Sequence, residues 1–185
     1  MVYNLKGGCT MFPVLYDSIV TGTVPEHYGI GVLKDALSCV ITEERNGAYE
    51  LVLKYPSSGA YADKLVTRAV IKAKPNFTDN AQLFRIYKIG KAIGSSFTVY
   101  ARHISYDLSG FPITTGSASN VGDALILLNN KAPGYTFSTD KSLQAPFKID
   151  KPSSVRSWFG GKAGSILDQY GPGDWKYDNF ECKFL

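Results

Sequence analysis

The sequence predicts a β-rich α+β fold, with a β region over about residues 11–110 and an α+β region over about residues 111–185. Residues 82–109 carry the first argument, because their β-branched and aromatic side chains alternate with period two around a glycine- and serine-rich turn. Asn46-Gly47 separates two more alternating segments, as in a hairpin. After Gly110 the apolar spacing becomes that of an amphipathic helix.

Residues 1–10 differ in composition from the segment that follows, in which residues 11–17 predict a first strand. Lys6-Gly7-Gly8 can be encoded by a purine-rich string of the kind that forms a ribosome-binding site. We therefore expect a non-native or disordered leader over residues 1–10, with the true start of the protein at Met11.

The first predicted hairpin pairs residues 37–45 with residues 48–55. The Asn-Gly pair between them favours the positive φ angles of a type I′ turn. Pro56 ends the second strand, and residues 66–74 predict another. Alternation gives the second strand of the hairpin one apolar face, formed by Tyr49, Leu51, Leu53 and Tyr55.

The central hairpin is predicted over residues 83–89 and 97–108. Strict alternation divides the first strand into two faces, with Leu83, Arg85, Tyr87 and Ile89 on one and Phe84, Ile86 and Lys88 on the other. Both faces carry apolar residues, which predicts a hairpin covered on both sides instead of one at a solvated edge.

The α+β region opens with a helix, for which Asn120 is a good N-cap and Asp123 lies in the first turn. Its apolar residues have helical spacing: Val121, Ala124, Leu125 and Leu128. The later elements predicted are strands at residues 135–139 and 147–149, a short helix capped by Ser153, a helix at residues 163–170, and a hairpin over residues 175–185.

Composition is that of an ordinary globular protein, with 44% apolar and 19% charged residues among 185. The net charge of +4 comes from lysines and arginines that are scattered along the chain, so neither nucleic acid nor a membrane surface is expected as a partner. No apolar stretch reaches the roughly 20 residues that a membrane-spanning helix needs.

Cys9, Cys39 and Cys182 are odd in number and far apart, so they predict neither a disulfide framework nor a zinc site. They are interpreted as buried or incidental thiols of a protein made in a reducing cytoplasm. His27 and His103 are isolated, and no metal-binding motif is present. We expect no metal and no cofactor.

His103, Ser105 and Asp107 offer a base, a nucleophile and a carboxylate, and alternation would place them on one face of a strand. Neighbours two apart in a strand stand roughly 6.6 Å from each other. A catalytic triad needs contacts of about 2.6 to 3.2 Å. We therefore interpret these residues as polar members of a sheet and predict no catalytic residues.

Two other arrangements also fall short of a catalytic motif. Residues 160–165, Gly-Gly-Lys-Ala-Gly-Ser, contain the residue types of a phosphate-binding loop in the wrong order, which favours a turn between helices. Glu43 and Glu44 are adjacent and point to opposite faces of their strand, so they cannot act as the paired carboxylates of a glycosidase.

Aromatic residues are abundant, with 12 Tyr and 10 Phe. They could line a sugar-binding surface. We favour a role in the sheet core and in a subunit interface, where aromatic side chains bury a large area and Tyr keeps a polar tip.

Several segments resemble the N-terminal region of phage tail minor structural proteins, the tail-associated lysin or prophage endopeptidase tail family. The strand Leu-Phe-Arg-Ile-Tyr at residues 83–87 and the segment at residues 99–108 carry this resemblance. Its motif residues are Phe84, Arg85, Tyr87, Tyr100, Ala101, His103, Tyr106 and Asp107. Further matching segments lie at residues 12–17, 42–47, 55–56, 152–157, 164–168 and 175–179.

The resemblance implies the fold of a baseplate or tail-tip hub, in which a partial β-barrel is followed by an α+β insertion and a second barrel is completed later. It implies a homotrimeric ring that joins the distal tail protein and the tail tube or tape-measure protein to the tip of the virion. The chain stops within an alternating segment, so we expect it to be the N-terminal part of a longer protein. Lytic activity, where the family has it, resides in a C-terminal domain that these residues do not match.

Two alternative functions follow from the same observations. One is a tail-associated peptidoglycan endopeptidase, which would need a cleft with a Cys/His or metal constellation. The other is a carbohydrate-binding module at the tail tip, which would need an exposed row of Tyr or Trp. We favour the structural, non-enzymatic role.

Overall fold

The computed structural model describes the backbone of Val2–Tyr3 and residues 12–185, and it divides into two compact units, Met1–Ile104 and Ser105–Leu185. The rest of the expected leader at residues 1–10, and the expected start at Met11, lie outside the described residues. Strands predominate and helices are few and short, so the predicted β-rich α+β fold class is confirmed.

The first unit is an antiparallel sheet of eight strands that curls into a half barrel. A 3-10 helix, Ala62–Lys64, follows the fifth strand. The order across the sheet is β1-β4-β5-β8-β7-β6-β2-β3. In chain order the strands are β1 (Val2–Tyr3), β2 (Val14–Tyr16), β3 (Gly31–Val32), β4 (Ser38–Glu43), β5 (Tyr49–Pro56), β6 (Val70–Ala73), β7 (Gln82–Ile89) and β8 (Ser96–His103).

The hairpin predicted around Asn46-Gly47 is confirmed as β4 and β5, with Glu43 opposite Tyr49. The predicted type I′ turn is wrong, because only Asn46 has a positive φ, of 53°. The chain turns over residues 45–47, and the Glu44 amide donates to the Ala48 carbonyl oxygen at 2.7 Å. A loop of this length needs only one residue in the left-handed region.

One face of the sheet, which we call the inner face, holds the core of the first unit. The predicted apolar face of β5 is buried there, and its four side chains are Tyr49, Leu51, Leu53 and Tyr55. Burying an apolar side chain of this size contributes roughly 1.5–3 kcal/mol. The opposite, outer face carries Glu50, Val52 and Lys54 of the same strand.

A β-bulge in β7 changes the predicted faces of the central hairpin. Ile86 pairs with Ala101 and Lys88 pairs with Tyr100, so Tyr87 is the extra residue between them. Lys88 therefore lies on the outer face and Ile89 on the inner face, opposite to the strict alternation that the sequence predicts. The hairpin lies centrally in the sheet and Leu83 and Phe84, on opposite faces of β7, are both buried, but Tyr87 and Lys88 are exposed, so among the described residues the expected cover on both sides is found only at the start of this strand.

The second unit combines short strands with short helices. Its first element is the 3-10 helix Ile104–Gly110, which begins at the boundary between the units. The other elements are β9 (Pro112–Ile113), β10 (Gly116–Asn120), α1 (Val121–Asn129), β11 (Thr136–Thr139), β12 (Gln144–Ile149), β13 (Ser153–Ser154), the 3-10 helix Val155–Trp158, α2 (Ile166–Tyr170), β14 (Trp175–Asp178) and β15 (Glu181–Phe184).

Helix α1 forms as the sequence predicts. The Asn120 side chain accepts a hydrogen bond from the Asp123 amide at 2.9 Å, and the four apolar residues of the predicted stripe are buried. Strands β10 and β12 pair antiparallel, while β15 pairs parallel with β11 and antiparallel with β14. The cap of the short helix near residue 155 is Ser154 instead of the predicted Ser153.

Gly29 and Gly94 provide a matched test of close backbone approach, because both have a positive φ, of 63° and 64°. A Cβ atom at Gly29 would lie 2.3 Å from the Leu15 carbonyl oxygen, whereas nothing lies within 4 Å of a Cβ at Gly94. We expect Gly94→Ala to lower the free energy of unfolding by about 1 kcal/mol, the cost of the left-handed backbone. Gly29→Ala should lower it by clearly more, because β2 and the segment before β3 must move apart. Urea denaturation followed by circular dichroism measures both values, and equal losses would contradict the close approach.

Candidate interaction surface

Three of the motif residues build the buried centre of the first unit. The His103 ring stacks on Tyr49 with centroids 4.5 Å apart, and Phe84 meets both rings edge-on. The Nε2 atom of His103 lies 3.0 Å from the side-chain oxygen of Gln82, which is also buried. Ala101, fully buried in β8 opposite Ile86, gives these larger groups room. The cluster joins β5, β7 and β8, so these residues have a structural role.

The predicted common strand face for His103, Ser105 and Asp107 is wrong. Strand β8 ends at His103, and Ser105 and Asp107 belong to the 3-10 helix that follows. The Ser105 hydroxyl oxygen accepts a hydrogen bond from Arg156 at 3.1 Å, and His103 contacts Gln82. The side chains that a triad would join therefore have separate packing partners.

Arg85 binds the main chain of two loops. Its Nη1 atom donates to the carbonyl oxygens of Arg68 at 2.9 Å and Ser18 at 3.2 Å, and its Nη2 atom donates to the Val20 oxygen at 2.8 Å. A planar guanidinium suits this arrangement because it offers several donors in a fixed geometry. The loops at residues 17–20 and 66–68 are thereby fixed to β7.

The outer face of β5, β8 and β7 carries aromatic rings under cations. Val52 lies opposite Tyr100, and Tyr100 lies opposite Lys88. The Lys88 amine is 5.3 Å from the centre of the Tyr100 ring, and the Arg102 guanidinium is 4.3 Å from that of Tyr87. Val52 and Tyr87 are 38% and 40% exposed, so this face keeps accessible apolar surface.

Arg102 also forms an ion pair on this face, with its Nε atom 3.0 Å from the Glu50 carboxylate. Both side chains are substantially exposed, so the pair adds little stability. The ion pair instead fixes the position of the Arg102 guanidinium, which Glu50 holds over the Tyr87 ring. The face therefore presents an ordered set of Tyr, Arg and aliphatic groups, which are residue types enriched in protein interfaces.

The remaining motif residues, Tyr106 and Asp107, lie in the second unit, where Arg156 packs on Tyr106. The Arg156 guanidinium lies 3.7 Å from the centre of the Tyr106 ring and 5.9 Å from that of Tyr177. It donates to the carbonyl oxygen and to the hydroxyl of Ser105. Asp107 is half-buried in the same 3-10 helix as Tyr106. Arg156 thus links the 3-10 helix at the start of the unit to its own helix, Val155–Trp158.

The phenol of Tyr177 and the thiol of Cys182, both near Arg156, are held in their neutral forms. Burial raises the pKa of Tyr177 and of the Cys182 thiol well above their ordinary values, while Arg156 opposes both shifts. A buried thiol with a raised pKa is a poor nucleophile, because the thiolate is the reactive form. Cys182 is therefore an inert core residue, as the sequence analysis expects.

The glycine-rich loop at residues 160–165 has the form of a packed turn. The Lys162 amine lies 3.3 Å from the centre of the Trp158 ring and 3.3 Å from the Ser157 hydroxyl. Burial lowers the pKa of Lys162. The Gly164 amide donates to the Asp168 carboxylate, so a carboxylate occupies the position where a phosphate would need a free donor. The loop therefore resembles a phosphate site only in composition.

In the part of the chain that the structure describes, no cluster of three His, Cys, Asp or Glu side chains could hold a metal ion. None of the helices formed by those residues has the length and apolarity to cross a bilayer. A shallow pocket of about 410 Å³ lies beside β3, where the Asp35 carboxylate accepts a hydrogen bond from the Ala60 amide.

Neither Gln82 nor Arg156 stands out from the sequence as a functional residue. The sequence does contain a signal for Gln82. If the strand already begins at this polar residue, its side chain is buried with the strand and needs a hydrogen-bond partner. Arg156 gives no such signal, because its contact with Ser105 spans 51 positions of the chain.

No family model and no curated protein sequence matches the chain. Among solved structures, the crystal structure of prophage tail protein gp18 from Listeria monocytogenes EGD-e superimposes with a TM-score of 0.65 at 16% sequence identity. The match covers 94% of this chain and 50% of that one, so this chain spans about half the length of the protein it matches. At this identity the likeness shows a shared fold.

Cys182 predicts a specific loss of stability at alkaline pH. Its thiol has a raised pKa in the folded chain and an ordinary value of 9.0 when unfolded, so above pH 9 the unfolded chain releases a proton that the folded chain keeps. The contribution of Cys182 to the free energy of unfolding is therefore constant well below pH 9 and falls as the pH rises above it. Between pH 8 and pH 10 we expect wild type to lose about 1 kcal/mol more than Cys182→Ala. Urea denaturation at both pH values measures this, and an identical pH dependence of the two proteins would contradict it.

Proposed function

We propose that this chain is a structural component of a phage or prophage tail and acts in the hub at the tail tip. The observation that carries the proposal is the fold, which matches a prophage tail protein over 94% of this chain with a TM-score of 0.65. The motif residues have structural contacts, because Phe84, Ala101 and His103 pack in the core and Arg85 fixes loops. A fold alone does not specify function, so the resemblance of these residues to the tail family is the second support.

In this role the chain contributes to a homotrimeric ring that joins the distal tail protein and the tail tube or tape-measure protein to the tip. The protein is made in the bacterial cytoplasm and then becomes part of the virion. Two features favour such assembly: the sheet is an open half barrel, and its outer face holds ordered Tyr and Arg side chains. Binding in such interfaces is concentrated in a few buried aromatic and Arg anchors.

The role is structural and non-enzymatic. The side chains with the greatest catalytic potential have packing partners instead, as Gln82 does for His103 and Arg156 does for Ser105. These contacts give no support to the alternative hypothesis that the chain is a peptidoglycan endopeptidase. Carbohydrate binding through the exposed Tyr87 ring is disfavoured, because the Arg102 guanidinium already lies over this ring.

Purified particles test the proposal directly. We expect peptides of this chain in tails isolated after prophage induction in the encoding bacterium, and gold-labelled antibody against it at the end of the tail distal to the head. Antibody against the head provides the control. Labelling along the whole tube, or a chain found only in the soluble fraction, would contradict the tail-tip role.

Zymography tests the non-enzymatic part separately. The purified chain should leave a gel containing bacterial cell wall intact under conditions in which a known endolysin clears it. A cleared zone at the position of this chain would assign it the hydrolase function instead.

A further inference from the structure

We propose that the pocket beside β3 is a binding site for a neutral sugar ring. Its volume of about 410 Å³ lies within the roughly 300–1,000 Å³ of small-molecule sites. The inference goes beyond the structural role proposed above, because it gives the chain a ligand. The lining residues are Gly31, Val32, Lys34, Asp35, Ala60 and Tyr61.

Hydrogen bonds join the two chain segments that form the walls of the pocket. The Ala60 amide donates to the Asp35 carboxylate at 2.7 Å, a contact across 25 positions of the chain. The Ala60 carbonyl oxygen accepts a hydrogen bond from the hydroxyl of Tyr55, a fully buried residue. Ala60 is thus held at both of its backbone groups. A site that is already ordered loses less conformational entropy when it binds a ligand.

The Tyr61 ring lies against the backbone of β3 at Gly31. A Cβ atom at Gly31 would come within 2.3 Å of two ring carbons of Tyr61, so the ring could not stay in this position if Gly31 carried a side chain. Tyr61 nevertheless remains 39% exposed. One wall of the pocket is therefore an accessible aromatic ring with a defined position, which offers a flat apolar surface beside a polar hydroxyl.

Backbone strain is found at the same residue. Tyr61 has a φ of 65°, in the left-handed region that a bulky residue rarely adopts. Its carbonyl oxygen accepts a hydrogen bond from the Lys64 amide at 3.0 Å, and Ala60 before it is held as described above, so the surroundings maintain this conformation. Strained residues maintained in this way cluster at functional sites, including those that bind ligands.

The charges of the pocket favour a neutral ligand that can both donate and accept hydrogen bonds. Lys34 and Asp35 are both exposed, and an ammonium group only donates whereas a carboxylate only accepts. Asp35 would repel an anion and Lys34 would repel a cation. A hydroxyl group can accept from Lys34 and donate to Asp35, whose carboxylate has acceptor capacity beyond its bond with Ala60.

A sugar ring also matches the apolar part of the lining. Val32, the methyl group of Ala60 and the Tyr61 ring provide apolar surface. A pyranose has a face of C–H groups that can pack on such a surface, and its hydroxyl groups lie around the rim. Glycerol has similar hydroxyl groups without a rigid apolar face. The chemistry of the lining therefore favours a sugar ring over an open-chain polyol.

Nuclear magnetic resonance tests the proposal, by titration of the ¹⁵N-labelled 185-residue chain with methyl glucoside, methyl galactoside and methyl mannoside. We expect at least one of these sugars to bind with a dissociation constant of about 1–10 mM and to shift the amide signals of residues 31–35 and 60–61. Glycerol at the same concentration should leave these signals in place. No shifts with any of the three sugars, or the same shifts with glycerol, would overturn the proposal.

Variants of the lining test where the sugar binds. Tyr61→Asn removes the ring at a position whose left-handed backbone asparagine also adopts, and it should weaken binding by at least about tenfold. Asp35→Asn removes a charged acceptor and should weaken binding by about tenfold. Tyr87→Asn provides the matched control, because Tyr87 is 40% exposed but lies in β7, away from the pocket lining. The control should bind like wild type.

The dispersion of the amide spectrum shows whether each variant is folded. Gly31→Ala, which displaces the Tyr61 ring without removing it, decides the matter if Tyr61→Asn is not folded. Binding that is unchanged in the pocket variants, or that is lost in Tyr87→Asn, would overturn the site. The tail role is tested separately, because a chain found at the tail tip that binds none of the sugars would leave that role intact.

Discussion

His103 stacks on Tyr49, and Phe84 closes the edge of both rings, so one aromatic contact joins the three central strands of the first unit. The ring nitrogen of His103 is not left unpaired, because Gln82 supplies a partner at 3.0 Å. A buried polar pair of this kind favours one register, since a shift by one residue would turn the inward side chains of the strand to the outer face and separate His103 from Gln82. The register of β5, β8 and β7 is therefore set by packing and by a hydrogen bond at the same point.

That fixed register determines what the outer face presents. Ile86 and Ala101 pair on the inner face. The extra residue of the bulge, Tyr87, therefore lies on the outer side, where the Arg102 guanidinium covers its ring. The bulge also lies close to Arg85, whose side chain binds the loops at residues 17–20 and 66–68. Core packing and surface chemistry are thus separated along a single strand, in which buried residues specify the sheet and Tyr87 and Lys88 are exposed.

The parts of the fold that were predicted have local causes. The hairpin at Asn46-Gly47 and helix α1 follow from turn chemistry, a cap and hydrophobic spacing within about ten residues of sequence. The bulge at Tyr87 was missed because residues on both sides of it continue to alternate, and only the pairing with β8 reveals the extra residue. Strand β10 was missed because its sequence, Gly-Ser-Ala-Ser-Asn, offers only one small apolar side chain, Ala118, which cannot show a period. The cluster around Arg156 depends on contacts across 51 positions, which no local pattern contains.

The same long-range contacts explain why residues with catalytic potential do not amount to a catalytic site. A histidine, a serine and a carboxylate close together in sequence suggest chemistry, but their positions depend on where β8 ends. Once β8 ends at His103, the imidazole turns into the core and Ser105 enters a 3-10 helix bound by Arg156. Each polar group then has a partner that stabilises the fold, and a partner held in this way must be displaced before the group can react. Ordered and accessible groups remain on the outer face, where Arg102 lies over Tyr87, and these are residue types enriched in protein interfaces.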